Sequence, residues 1–318
     1  MRDGIRRCLP ALLALTGVLA LVGCAAGPSR VGAAAIVGET RIPVDAVQSE
    51  FRWLLNNIPQ ARQLEREKKL GSISRYTLQV RIRHVLITDT ARELGLSADP
   101  ADVDQLLKAA GGQAEAPKSV LTTPGKVRQF IEDIVLLREI GRHYVDRLSV
   151  QVAGALVAQE QPGKTSRERA VELGKAMAAE PERAAELAAD GDQQLPADLK
   201  LSEVVGGESA VLAQTPLFAV QPGTVVVIQP DPQQGAVWLV ALVQERSETE
   251  SAPGGKPPEY PDETLEQIGL QMLRPAAERL GVTVSPRYGV WDQASLAILD
   301  NQEQAEGMLL TARGADRQ

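Results

Sequence analysis

The segment from Ser72 to Leu94 constrains this chain more than any other. It carries one apolar stripe of Ile73, Tyr76, Val80, Ile87, Ala91 and Leu94 at helical spacing, and a second of Leu78, Ile82, Val85 and Leu86. One stripe makes an amphipathic surface helix; two make a helix apolar around most of its circumference, stable only when other elements enclose it. The elements to enclose it lie on either side. Upstream, Val44, Val47, Phe51, Leu54 and Leu55 recur at i, i+3, i+4 spacing; downstream, Val127, Ile131, Ile134, Leu137, Gly141, Val145 and Leu148 mark a long helix. Asp99-Pro100 and Thr123-Pro124 each set a capping side chain before a proline at the first helical position, opening a short helix through Leu106 and then the long one. Ala109 to Ser119, with its Gly111-Gly112 pair, is predicted as a loop. A strand at Ala33–Val37 and a turn at Gly38-Glu39-Thr40 precede this helical lobe.

After Ser149 the texture changes. Val150 to Val157 is strand-like, and Thr165-Ser166-Arg167-Glu168 is a capping box that opens a helix through Ala170, Leu173 and Met177. A further helix follows Pro181. Leu217 to Gly223 reads as a helical turn and break, and Thr224–Ile228 and Val237–Val243 as strands, giving a βααβ-type module. The Ser, Pro, Gly and Glu run around Glu248–Pro261 is a linker. Thr264 to Leu280 returns to helix, and the alternation of Val282, Val284, Tyr288 and Val290 with polar residues predicts a half-buried strand over 282–291. An isolated strand is unstable, so it is expected to pair with the strand at 33–38. The last fifteen or so residues read as frayed. The predicted fold class is α+β: a mainly helical domain, completed by a late helix and strand, with an α+β module inserted into it.

Composition excludes several functions. The 318 residues are 44% hydrophobic with a formal net charge of −7, which argues against a phosphate-binding surface and hence against nucleic acid as a partner. Two histidines and two cysteines leave little for metal or His-dependent chemistry, and neither a metal site nor a cofactor is expected. Gly163-Lys164-Thr165 ends like a phosphate-binding loop, but Ala158 stands where the first glycine belongs and Pro162 removes a backbone donor, so the segment is read as a capped helix start and no nucleotide is expected. Gly71-Ser72-Ile73-Ser74 misses the nucleophile-elbow pattern because Arg75 replaces its last glycine. His84, on the buried stripe, is read as a core or interface histidine. His143, in the last turn of the long helix, sits where the dipole favours a cation. No carboxylate pair falls across a recognisable cleft, and no catalytic residue is assigned.

Arg2, Arg6 and Arg7 form a positive n-region before an apolar run from Leu9 to Val22, too short for a permanent membrane span. It ends in Leu21-Val22-Gly23-Cys24, which resembles the bacterial lipobox. The resemblance implies a signal peptide over 1–23, removal of Cys8 with it, diacylglyceryl modification of Cys24 and a small-residue tether over 24–32. Export by the Sec route is the default, with Arg6-Arg7 leaving twin-arginine export open. Acyl chains contribute about 0.8 kcal/mol per buried CH₂, so such a chain is held at the membrane, on its extracytoplasmic face, without basic residues.

The order of elements resembles the extracytoplasmic chaperones of the SurA/PrsA type. Ala35-Ile36-Val37-Gly38-Glu39-Thr40-Arg41-Ile42-Pro43-Val44-Asp45 is similar to the entry of that family's helical domain, and Glu93-Leu94-Gly95-Leu96 to a helix end within it. Leu217-Phe218-Ala219-Val220-Gln221-Pro222-Gly223-Thr224-Val225 resembles a segment of parvulin prolyl isomerases, and Val237–Arg246 their closing strand. The resemblance implies a chaperone domain over 33–148, a parvulin-like module over 149–246, a linker over 247–261, a completing helix and strand over 262–292 and a tail over 293–318. It also implies histidines on the first and last strands of the module. Here those strands read Val152-Ala153-Gly154-Ala155-Leu156-Val157 and Ala236-Val237-Trp238-Leu239-Val240, with neither histidine.

The resulting expectation is a lipid-anchored holdase whose partners are unfolded or newly secreted polypeptides, with a degenerate isomerase module. An active isomerase with an unusual pocket, or an envelope lipoprotein with one specific partner, are the alternatives. Phe51, Trp53 and Tyr76 are the candidate client-facing residues, against the plainer reading that all three are core. Cys24→Ser is expected to leave the precursor uncleaved before residue 24 and unlipidated; normal processing and partition of that variant into the detergent phase would refute the lipobox reading.

Overall fold

The computed structural model describes residues 31–207, 209–231, 236–249, 258–301 and 307–315. The signal peptide, Cys24 and most of the tether lie outside the described residues. In the helical lobe, β1 (Ala33–Val37) and β2 (Thr40–Pro43) form a hairpin that leads into α1 (Val44–Asn57), α2 (Pro59–Arg66), α3 (Leu70–Leu94), α4 (Pro100–Ala109), α5 (Gly112–Val120) and α6 (Val127–Val145). The doubly striped helix is α3. Ile73, Leu78, Ile82, Leu86, Ile87 and Ala91 are all buried, so both stripes meet neighbours. It ends at Gly95, where a positive φ of 67° lets Leu96 N–H reach Ala91 O at 2.8 Å and Gly95 N–H reach Arg92 O at 3.2 Å.

The Asp99 side chain accepts from Ala101 N–H, as the Asp-Pro signature predicts. Thr123 makes no such bond: Pro124–Lys126 is a single 3-10 turn, and α6 begins after it. The segment 109–119, predicted as loop, is mostly α5. Its glycine pair is a helix–helix junction, with Gly111 at φ +88° turning the chain between α4 and α5, and Ala116 is fully buried behind it.

The module contains β3 (Leu148–Val157), α7 (Ser166–Ala179), α8 (Ala184–Leu187), β4 (Gln193–Gln194), β5 (Asp198–Lys200), α9 (Leu201–Gly206), β6 (Thr224–Ile228) and β7 (Trp238–Glu248). Thr165 and Glu168 form the predicted capping box of α7. The chain then returns through α10 (Asp262–Gln271), α11 (Arg274–Leu280), β8 (Val282–Val284), β9 (Val290–Asp292), β10 (Ala297–Leu299) and β11 (Gly307–Thr311).

β8 pairs antiparallel with β1, Ala35 opposite Val284 and Val37 opposite Val282, so the predicted return to the first strand holds for 282–284. The rest of the 282–291 pattern turns away. Pro286 supplies no ladder donor, Tyr288 N–H bonds Ser285 O at 2.9 Å, and Val290–Asp292 pairs with β10 instead. The expectations of a tail over 293–318 and of fraying over its last fifteen or so residues are corrected here as well. Besides β9 and β10, Gly307–Thr311 forms β11 and joins the module's sheet, whose order is β11-β6-β7-β3-β4 with β5 also on β3. A five-residue strand flanked by Gly and polar residues carries little periodicity; its structure comes from the ladder that β6 offers.

One core runs through lobe and module. Ile82 and Leu86 of α3, Ile140 and Val145 of α6, Val150 and Val152 of β3, Phe218 and Val226, and Leu265 and Ile268 of α10 belong to a single buried cluster. The other face of the sheet, with Ala155, Val157, Val227 and Val240, packs on Ala170, Leu173 and Met177 of α7. The return helix is locked against α6 by backbone contact: a Cβ on Gly141 would lie 2.1 Å from Leu265 O, and one on Gly269 2.0 Å from Leu137 O. Gly269→Ala should therefore lower the unfolding free energy by about 2 kcal/mol or more through overpacking, despite the ~1 kcal/mol that alanine normally gains over glycine within a helix. A urea midpoint equal to or above that of the parent chain would show that the two helices do not meet there.

Candidate functional site

Phe51 and Trp53 lie where α1, α2 and the start of α3 enclose a small cluster of Leu54, Ile58, Ala61 and Ile73. Both rings are half-buried against that cluster, together with Leu55, Leu64, Leu70 and Leu121. Tyr76 is not part of it. It is half-buried one turn further along α3, its hydroxyl donates to Val120 O at 3.0 Å, and burial pushes the phenol above its usual range. The structure thus brings two of the three candidate residues together and gives the third a pinning role between α3 and the end of α5. None of the three is fully exposed; among the described residues the exposed large apolar side chains are Val31 and Val290.

The lobe holds an apolar cleft that periodicity did not reveal. It lies between the C-terminal half of α3, the turn after it, α4 and α6, with a volume of about 490 Å³, and is lined by Ala91, Leu96, Val103 and Leu136. Arg128 and Glu132, ion-paired at 3.3 Å, stand at its edge. The residues come from four separate segments, so no local pattern could have gathered them.

Charges are buried between α1, α3 and α6. Glu50, 7% exposed, accepts from Arg81 Nη2 at 2.8 Å and Nε at 3.1 Å, and from the Thr122 hydroxyl at 3.1 Å. His84 Nδ1 and Asp133 Oδ1 are 2.8 Å apart, joining α3 to α6. Burial pushes the Asp133 carboxyl above its ordinary range against the opposing pull of His84. Burial, and after it the Arg81 charge, holds the Lys126 ammonium below its own. His84, read as a core or interface residue, is an interface residue between two helices. His143 Nε2 lies 3.3 Å from Glu248 Oε1, at the seam between α6 and the end of β7.

In the module, β3 and β7 pair along their length with Gly154 opposite Ala241, Leu156 opposite Leu239 and Val157 opposite Trp238. Trp238 faces α7; Leu239 and Ala241 face the shared core beside Leu217 and Phe218. A Cβ on Gly154 would stand 2.6 Å from both Ala241 Cβ and Val240 O. No side chain fits at that position unless the strands part, and both histidines of the described chain lie on α3 and α6.

The Gly163-Lys164-Thr165 loop is organised from within. Asp192 accepts from Ala158 N–H at 2.7 Å and Gln159 N–H at 2.8 Å, and pairs with buried Arg169 at 3.0 Å. Arg169 also donates to Gln159 O at 2.6 Å and Asp190 O at 3.1 Å. The loop's first two amides thus point at a carboxylate of the chain itself, and Thr165 is used by the capping box. Lys164 pairs with Glu172 at 2.5 Å. Among the described residues, no cluster of His, Cys, Asp or Glu side chains is gathered to hold a metal ion, and no helix is long and apolar enough to cross a membrane.

No protein-family model matches the chain, and no curated protein matches it. Its chemistry must therefore be read from geometry, and the loop anchor offers a direct test. The Gln159 amide, with that of Ala158 and the Arg169 charge, holds the Asp192 carboxyl below its ordinary 3.8. A lowered folded-state value means stability present above pH 3.8 and lost as pH falls through the folded value. Asp192→Asn is expected to cost about 2 kcal/mol at pH 7, the scale of hydrogen bonds to a charged group, and the two chains should converge in stability as the pH drops below 3.8. A difference that persists at acid pH would show that the carboxylate charge is not what holds the loop.

Proposed function

We propose that this chain is a membrane-anchored extracytoplasmic chaperone that holds unfolded or newly secreted polypeptides, and that its module serves binding and shape, not proline isomerisation. The observation that carries the reading is the paired Gly154–Ala241 position at the centre of the module's sheet. Isomerisation must lower a barrier of about 20 kcal/mol with groups that act on the imide. The strands here meet too closely for a polar side chain at that position, and the surrounding residues are Leu217, Phe218 and Leu239.

The helical lobe supplies what a holdase needs. Its cleft between α3, α4 and α6 is apolar with a charged rim, and the half-buried Phe51 and Trp53 on α1 offer aromatic contact without an open sticky patch. Capture through such surfaces is weak, micromolar or looser, because ordering a flexible chain offsets much of the gain from apolar burial. The lipobox resemblance at Leu21–Cys24 supports placement at the extracytoplasmic face of the membrane.

Two assays test the proposal together. The chain is expected to suppress aggregation of several unrelated unfolded proteins at near-stoichiometric ratio, with Phe51→Ala/Trp53→Ala weakening the effect severalfold. It should leave the cis–trans relaxation of a proline tetrapeptide at the uncatalysed rate. Catalysed relaxation that disappears in Phe218→Ala would restore the enzyme reading, and protection of a single protein out of many would replace the general chaperone by a dedicated binding lipoprotein.

A further inference from the structure

Charge is spread unevenly along this chain. Between Phe51 and Thr88 stand eight Arg and Lys side chains against two glutamates, a local balance of +6 in a chain whose formal net charge is −7. Such asymmetry marks a surface for an anionic partner. The structure divides the eight by role. Arg75 pairs with Asp300 and Arg81 with buried Glu50, while Arg83 is half-buried with its Nε enclosed. The other five are exposed: Arg52 on α1, Arg62 and Arg66 on α2, and Lys68 and Lys69 in the turn into α3.

Four of these five gather at one corner, where α1, α2 and the start of α3 join. Arg62 and Arg66 are one turn apart on α2, whose inner side carries buried Ala61 and half-buried Leu64, so both stand on its outer side. Arg62 Nε donates to Leu55 O at 3.1 Å, which ties α2 to the C-terminal end of α1. Lys68, at φ +59°, turns the chain, and Lys69 N–H closes the turn on Leu64 O at 2.8 Å. The acids of this corner are Glu65 and Glu67, and Glu67 is taken up by Lys69 at 2.9 Å and by Gln63 at 3.0 Å. Arg66 and Lys68 form no ion pair among the described residues.

We propose that this basic corner docks on an anionic lipid surface and so sets the orientation of the anchored chain; this rests on the membrane-anchored reading above. The tether is long enough. Gly32 O accepts from Val44 N–H at 3.0 Å, so the described chain starts beside the first turn of α1, and the corner lies at the other end of that helix, about 20 Å away. From Cys24 to Val31 an extended chain spans about 25 Å, so lipid on Cys24 leaves the corner free to reach the surface that holds it. Basic groups are attracted to an anionic leaflet within a Debye length, about 10 Å at 0.1 M salt, and the acidic remainder of the chain is repelled. Both effects turn the same corner toward the bilayer. Contact made through a tether is intramolecular, so a weak site suffices. The apolar cleft at Ala91 and Leu96 lies about 30 Å from the corner along α3, clear of the contact.

The chain from Ala25 onward tests this without a lipid anchor. It is floated with vesicles of equal parts phosphatidylglycerol and phosphatidylcholine, and with phosphatidylcholine alone. Flotation is expected with the anionic vesicles only, and is lost as salt rises from about 50 mM to about 300 mM. Arg66→Glu/Lys68→Glu should weaken it about tenfold. Lys108→Glu/Lys175→Glu, the same change in net charge at exposed positions elsewhere, should leave it nearly unchanged. Circular dichroism checks that both variants keep the fold. An equal loss in the two variants overturns the corner as the docking site. Flotation with neither vesicle, or equally with both, overturns the electrostatic docking; the chaperone reading is judged apart from it, by aggregation suppression. Binding to soluble polyglutamate as tight as to the anionic vesicles overturns the lipid surface as the partner. Flotation as expected, in a protein whose Cys24→Ser precursor is still processed normally, upholds the corner and removes the lipid anchor.

Discussion

The contact on which this architecture depends is the meeting of two helix backbones, α6 and α10, at Gly141 and Gly269. Helices packed through ordinary side chains sit about 8–10 Å apart; here each helix puts a glycine against the carbonyl of the other, and nothing larger fits. α6 runs almost directly into β3, the first strand of the module, and α10 leads through α11 to β8, which completes the sheet begun by β1. The one crossing thus holds together three things distant in sequence: the lobe, the root of the module and the returning chain. Ile140, Val145, Val150, Leu265 and Ile268 share a core because of it.

Around that apolar centre the molecule spends its buried charge on joints. Glu50 and Arg81 tie α1 to α3, His84 and Asp133 tie α3 to α6, and Asp89 with Arg279 ties α3 to α11. Arg274, with no exposed surface, donates to the carbonyls of Gln293 and Ala294 and so fixes the β9–β10 turn on α11; burial pushes its guanidinium down to about 10. Desolvation offsets much of the Coulomb gain in such pairs. Their contribution here is to register: each has its partner on a different element, so a slipped helix would strand a charge. Apolar stripes alone, as on α3, would tolerate several rotations.

What was legible in the sequence was whatever local chemistry determines. The Asp99-Pro100 cap, the Thr165–Glu168 box and the two stripes of α3 all depend on residues within a few positions of one another. What was not legible depends on distant partners. Gly111-Gly112 reads as loop in isolation and proves to be a joint because Ala116 and Val103 bury against Val127 and Ile131. Gly307–Thr311 becomes a strand only where β6 offers an edge. Pro286 breaks a pattern that alternation alone would have carried on to Val290. Phe51 and Trp53 stood out as large aromatic residues, but the cleft of Ala91, Leu96, Val103 and Leu136 is assembled from four segments, and Tyr76 turned out to be fixed by a carbonyl that no spacing could have pointed to.

The centre of the module's sheet is closed by backbone contact and apolar side chains. Between β3 and β7 the small pair Gly154 and Ala241 lets the ladder close tightly, and the strands on that face are buried on Leu217 and Phe218. That tight inner ladder leaves no room at its centre for a larger side chain, and it continues outward where β7 pairs with β6 from Thr224 to Ile228. An edge already ordered in this way costs only the entropy of the strand that adds to it. Gly307–Thr311, which carries little periodicity of its own, becomes a strand there because β6 offers it a preformed row of donors and acceptors.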